Sequence, residues 1–268
     1  MHELTGGISH RTLLVHLAGG GPTSVVVRLI ADREVATREA AALDVVDGTP
    51  VPAPRLVALR ELPGLGWGLV CTRVPGRPSA RPNEAAWLDE LASTLATIHE
   101  IRPSGRSLPV DPGSSRSWLD DDAEALGLGP MGAGVLEAAR RRRHELDQAP
   151  HVLVHGDFHP GNVHWSRGRV AGVLDWETAR WGPAAADVAY LHMDLVLVAG
   201  RAAAERVLEA YERRSGPVHA FDAWFALACL RPLPDPAAWL PAWEAAGYRT
   251  LTPALVRGRL RLLVQALA

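Results

Sequence analysis

Two short apolar runs, HVLV at residues 151–154 and VAGVL at residues 170–174, flank a segment that no regular element can cross, HGDFHPGN at residues 155–162. The runs are brief and rich in β-branched residues, as buried strands are. Gly156, Pro160 and Gly161 interrupt any helix or strand between them. The chain is therefore constrained to a loop leaving the first strand, joined by a short hairpin to a second turn that carries LDWE and its Asp175 at a strand's exit. Asp157, Asn162 and Asp175 all fall at strand ends, where side chains project from a firm base.

A carboxylate, a carboxamide and a second carboxylate so placed are equipment for holding magnesium and orienting a hydroxyl. Magnesium takes oxygen ligands and keeps several waters; Asn162 offers a neutral carbonyl oxygen and Asp175 an anionic one. Phosphoryl transfer asks a protein for positioning and charge neutralisation more than for covalent help, and Asp157 suits the group that orients the attacking hydroxyl. A rival reading takes His151, His155, Asp157, His159 and His164 as a zinc-hydrolase cluster. The alternate spacing of His155, Asp157 and His159 then requires an extended strand, and Gly156 and Pro160 argue against one.

The N-terminal stretch tests the same idea independently. RTLLVHL at residues 11–17, the turn at 18–22 and SVVVRLI at 24–30 predict two strands and a tight connection. The preceding glycine-rich segment at 5–10, with Gly6, Gly7 and Ser9, lets backbone N–H groups approach phosphate closely. A helix is expected over 33–46, ending before Gly48 and Pro50, and two further strands over 55–59 and 67–74. All 28 basic residues of the chain are arginine and none is lysine.

HGDFHPGN and LDWE, in this order and spacing, resemble the catalytic loop and metal-binding motif of the aminoglycoside phosphotransferase and choline kinase family, small-molecule relatives of protein kinases. The resemblance implies an α+β, protein-kinase-like fold of two lobes: a small antiparallel β N-lobe over residues 1–74 and a larger, mainly helical C-lobe over 75–268. It implies ATP or GTP as donor, Mg2+ as cofactor, Asp157 as the catalytic residue, and Asn162 and Asp175 as metal ligands. Gly6, Gly7 and Ser9 match the nucleotide loop, and Val70, Cys71, Thr72 and Arg73 the lining of the base pocket. Glu39 lies where the family's paired glutamate would be, and Arg28 stands where the family usually shows a lysine. His155, with Asp187 in the segment at 182–190, would support the loop from behind. The acceptor so implied is a small hydroxylated molecule such as an aminoglycoside or other antibiotic, an amino alcohol or a sugar derivative. Arg28 also opens an alternative, a nucleotide-binding protein without transfer activity, because a planar guanidinium is no equivalent of an ammonium.

Beyond Pro75 the pattern turns helical. Asn83 is the expected N-cap of a helix to about residue 100, with Trp87, Leu88, Leu91, Leu95 and Ile98 forming its core stripe. His99, near its end, suits the helix dipole or the core. Residues 103–115 read as a loop. The acidic run with Asp120, Asp121 and Asp122 either draws a cationic acceptor by its field or sits at the positive end of a starting helix. Glu177 and Trp224 are further candidate acceptor contacts; Trp224, Trp239, Trp243 and Tyr248 also read as ordinary helix packing.

A net charge of −2 and a pI near 6.6 lack the basic excess that nucleic-acid binding requires. No signal-peptide pattern appears, and no apolar run reaches the roughly 18 residues of a membrane span. Cys71 and Cys229 are too few and too far apart for a disulfide framework, which points to a reducing, cytoplasmic setting. Nothing in the pattern specifies an oligomeric state.

Overall fold

The computed structural model describes residues 2–4 (backbone alone), 10–17, 24–103, 105, 108–110, 117–146 and 148–267. Its N-terminal part is organised by an antiparallel sheet of five strands: β1 (His2–Leu4), β2 (Arg11–His16), β3 (Ser24–Ile30), β4 (Leu56–Leu62) and β5 (Gly66–Thr72). Their order is β1-β2-β3-β5-β4, and Arg28 of β3 lies opposite Thr12 on one side and Leu69 on the other. Arg28 is thus carried by an inner strand, paired on both flanks.

Between β3 and β4 runs α1 (Arg33–Val46), as the sequence predicts. Asp32 caps it, its carboxylate accepting from the backbone N–H of Glu34 at 2.7 Å and of Val35 at 3.1 Å. Ala36, Ala40, Leu43 and Val46 form its buried stripe, and Glu39 is buried among them at 3% exposure. A carboxylate on the apolar face of a helix calls for a charged partner, and Arg28 supplies one.

The remainder is mainly helical: α2 (Ala85–His99), α3 (Gly129–Arg141), α4 (Ala185–Val198), α5 (Arg201–Ser215), α6 (Phe221–Leu230), the short α7 (Leu240–Ala245) and α8 (Pro253–Gln265). In α2 the expected stripe Trp87, Leu88, Leu91, Leu95 and Ile98 is buried. The cap differs from expectation: Glu84, not Asn83, occupies the N-cap position and makes no side-chain bond there. Residues 118–127 form turns, and the next helix begins only at Gly129. The acidic run therefore does not start a helix. α4 is buried almost throughout, with α5 and α6 packed on it.

Two small antiparallel sheets are set into this helical part. β7 (His151–Val154) pairs with β10 (Arg180–Pro183), while β6 (Arg77–Pro78), β8 (Val163–Ser166) and β9 (Arg169–Val173) form the other. The expected strands at 151–154 and 170–174 are present as β7 and, within a residue, β9; the loop at 155–162 springs from β7 and enters β8, whose hairpin with β9 leads to Asp175. A backbone bond from Val173 N–H to Pro52 O, 2.8 Å, ties β9 to the segment that follows α1.

Candidate active site

The loop at 155–162 is shaped from beneath by one carboxylate. Asp187, in the first turn of α4 and fully buried, accepts from the backbone N–H of His155 through Oδ2 and of Gly156 through Oδ1, each at 2.7 Å. Burial opposes the Asp187 charge, but His99, His155 and Arg180 outweigh it and hold its pKa below the usual carboxylate range. Gly156 is required by geometry: its φ is +83°, and a Cβ there would lie 2.6 Å from Thr178 O and against the Arg180 guanidinium. His155 is fully buried and pushed towards its neutral form by burial. Its Nδ1 receives the Asp157 N–H at 3.3 Å, and its Nε2 bonds to Leu174 O at 2.9 Å. Both ring nitrogens are thereby spent on backbone, which removes His155 from any zinc ligand set, and no metal-competent cluster of three or more His, Cys, Asp or Glu occurs among the described residues.

That foundation presents Asp157, Asn162 and Asp175 together. The Asn162 side-chain amide donates to Asp157 O at 3.0 Å and to Asp157 Oδ2 at 3.2 Å. Leu174 N–H donates to Asn162 O at 2.8 Å, so the residue before Asp175 is fixed to Asn162. Asp175 adopts a left-handed backbone, φ 66°, uncommon for a side chain with a Cβ. Asn162 Oδ1 and the Asp175 carboxylate make an all-oxygen donor pair of the kind a hard cation takes, so these residues fit magnesium.

Arg28 closes the site from the sheet. Its guanidinium bonds to Glu39 Oε1, to Asp175 Oδ1 at 2.8 Å and to Glu177 Oε2 at 3.2 Å. Burial works against its charge, yet Glu39, Asp175 and Glu177 more than offset burial and raise its pKa. Glu39 is pushed up to about 7, chiefly by burial and further by Asp175 and Glu177, against the pull of Arg28. Its Oε2 is buried without a hydrogen-bond partner. His10 reaches the same cluster, its Nε2 2.8 Å from Glu177 Oε2.

A family model described as the phosphotransferase enzyme family matches residues 1–233. The chain belongs to the phosphotransferase enzyme family. Among solved structures it resembles the aminoglycoside phosphotransferase APH(4)-Ia, with TM-score 0.71 and 17% identity over 100% of this chain and 93% of that one. A ternary complex of that enzyme with ADP and hygromycin B matches at TM-score 0.69 and 16% identity, covering 99% of this chain and 93% of the other. The macrolide 2'-phosphotransferase MphH of Brachybacterium faecium matches at 0.64 and 20%, over 93% and 91%. A search of the curated proteins gives no match. The fold of this phosphotransferase-family chain is thus the kinase-like one, an antiparallel sheet followed by a helical lobe.

Not every residue singled out in the sequence joins the site. Gly6, Gly7 and Ser9 lie outside the described residues. Val70 and Cys71 lie within β5, flanked by β3 and β4, with Cys71 close enough to the Arg28–Glu39 cluster to feel its charges; Thr72 N–H bonds to Arg55 O, and the chain leaves the sheet at Arg73. Asp120 pairs with Arg143, and the Asp122 carboxylate accepts from Ala125 N–H; the Asp121 carbonyl accepts from Arg140. These acids serve their own segment. Trp224 is buried at 4% exposure in α6 packing, which suits the core rather than an acceptor wall. Glu177, by contrast, is in the cluster around Arg28.

Two groups were not foreseen in these roles. Arg231, just past α6, donates to Gly156 O at 3.2 Å and to Asp157 Oδ1 at 3.3 Å, and stacks on the Tyr190 ring at 4.0 Å. Burial favours a neutral Asp157, but His159, Arg231, the Tyr190 hydroxyl and His155 prevail and keep its pKa low. His99 bonds to Asp187 Oδ2 at 3.3 Å and to the Tyr211 hydroxyl at 2.7 Å, so it braces the loop's anchor instead of serving only the end of α2. For Arg231 the available signal was a lone charge directly after the apolar run of α6, and for His99 a histidine at the end of a core-facing helix.

Proposed function

We propose that this protein moves the γ-phosphate of ATP or GTP to a hydroxyl of a small molecule. The observation that supports it most directly is the mutual registration of Asp157, Asn162 and Asp175, through the bonds from Asn162 to Asp157 and from Leu174 to Asn162. Asp157, kept ionised by its neighbours, receives and orients the acceptor hydroxyl. Asn162 Oδ1 and Asp175 hold Mg2+, which when bound neutralises charge on the transferred phosphoryl group. Arg28, steadied by Glu39, turns its remaining donors to the nucleotide phosphates. His155 and Asp187 keep the loop in place.

The ternary complexes of APH(4)-Ia contain ADP or AMP-PNP with hygromycin B, and we carry from them the use of an adenine nucleotide and a small hydroxylated acceptor. The glycine-rich residues 5–10 would cover the phosphates, and the backbone at Arg73 would meet the base. Residues 1–74 then serve the nucleotide, and residues 75–268 supply the chemistry and the acceptor. Both cysteines are free and buried, and no helix among the described residues is long and apolar enough to cross a membrane; we place the protein in the cytoplasm.

The test is phosphorylation of a panel of hydroxylated acceptors with ATP and GTP in parallel, in the presence of magnesium. Phosphorylated product that disappears in Asp157→Ala is expected; product formed equally by the variant removes Asp157 from its role. One observation favours a second reading, nucleotide binding without transfer: Arg28 itself occupies Asp175 Oδ1. Tight nucleotide binding with no turnover across the panel would establish that instead.

A further inference from the structure

Arg231 is the one cation of the helical lobe that bonds directly to Asp157 among the described residues. It is held by three separate contacts, to Asp157 Oδ1, to Gly156 O and over the Tyr190 ring, yet its side chain keeps 27% of its surface open. A guanidinium carries five N–H donors, and these hydrogen bonds use two. The remaining donors form a fixed, planar fork matched to an oxyanion, one hydrogen bond away from the group that orients the acceptor hydroxyl.

Asp157 balances part of that charge in its pair with Arg231, and the other groups nearby are engaged elsewhere. His159, on the same loop, places Nε2 3.7 Å from Asp157 Oδ2 and its ring against the edge of Tyr190. The acids that would attract an amine, Asp120 and Asp122, serve Arg143 and a turn of their own segment. Asp194, the other carboxylate near His159, is buried at 1% exposure, donated to by Trp243 Nε1 at 2.8 Å and driven towards its neutral form by burial. An ammonium arriving on the side of the spare Arg231 donors, away from Asp157, would therefore meet a guanidinium, and a like-charge contact is a means of rejecting a ligand as well as of choosing one.

Resting on the phosphotransferase reading above, we infer that Arg231 selects the acceptor, and that this acceptor carries an oxyanion, a carboxylate or a phosphate monoester, close to the hydroxyl that is phosphorylated. Polycationic acceptors are rejected by the same side chain.

Matched acceptors on a three-carbon and a six-carbon polyol skeleton, differing only in a carboxylate, phosphate monoester, amide or amine, test this with the full chain and ATP or GTP. The better oxyanion is expected to exceed the amide by about tenfold in kcat/KM, with the amine poorest. Its rank against the other oxyanion tells carboxylate from phosphate. Because Arg231 also touches Asp157, the ratio between acceptors is the readout: Arg231→Met should bring it to within about twofold, chiefly through KM, while Arg231→Lys keeps part of it. An amine used as well as the oxyanions, or a ratio untouched by Arg231→Met, overturns the inference. Should none be phosphorylated, the transfer reading fails separately. Tryptophan-fluorescence titration with the same compounds then decides: oxyanion binding about tenfold tighter than amine binding, lost in Arg231→Met, upholds the selection, and equal or absent oxyanion binding refutes it.

Discussion

Asp187 and Glu39 are both buried carboxylates beside the same site, at 0% and 3% exposure, yet they are held differently. Asp187 spends both oxygens on the backbone of the loop and accepts a further contact from His99, whereas Glu39 meets one long side chain, Arg28, and leaves Oε2 without a partner. Backbone donors cannot move without unfolding the loop; a guanidinium can. One side of the cleft is therefore built as a fixed floor, and the other as a set of charges whose balance depends on what else is bound.

The two carboxylates also titrate in opposite senses. Asp187 has a depressed pKa, so its contribution to stability is present above the ordinary carboxylate value and lost as pH falls through the folded value. Glu39 is raised from 4.5 to about 7, so the folded state binds its proton more tightly than the unfolded one. Its contribution is full below 4.5 and lost as pH rises through 7.

The sharpest way to break the comparison is at the residue the floor supports. Asp157→Ala should lower kcat by about 10²–10⁴-fold with little change in urea midpoint; a loss of folding equal to the loss of activity would make Asp157 structural. Asp187→Ala strips two buried amides of their acceptor and should cost about 3 kcal/mol in urea unfolding, with Asp187→Asn intermediate. A cost under about 0.5 kcal/mol would mean the loop holds itself. Gly156→Ala forces a Cβ into Thr178 at a left-handed φ and should cost about 2 kcal/mol together with activity.

On the movable side the effect is smaller and depends on pH. Between pH 5 and 8 the wild-type protein should lose on the order of 2 kcal/mol relative to Glu39→Gln, read from paired urea midpoints; parallel slopes would show that burial does not set the Glu39 proton. Smallest is Asp120→Ala, far out in the loop segment. Its exposed pair with Arg143 should be worth less than about 1 kcal/mol, with phosphorylation rates unchanged.

The floor was legible in the sequence because its signals are local. Gly156, Pro160 and Gly161 mark the loop, the flanking strands are β-branched, and Asp187 stands in a recognisable segment; α1 was read residue for residue. Pairings across the chain were harder. Arg28 meets Asp175 across a separation of 147 residues and Arg231 meets Asp157 across 74, and no periodicity records such distances. The acidic run misled because a cluster of carboxylates looks alike whether it faces a ligand or caps its own turns, and only Arg143 and the Ala125 amide distinguish the two.

Arg28 has a practical consequence for chemical probing. Reagents that label nucleotide sites by acylating a phosphate-side amine need a neutral nucleophilic nitrogen, and this chain has no lysine anywhere in its sequence. The group in that place is a guanidinium, protonated at every accessible pH, with three carboxylates holding the proton on. Such labels should pass over this site even when the nucleotide portion of the probe is bound, so silence in a lysine-directed survey would say nothing about occupancy.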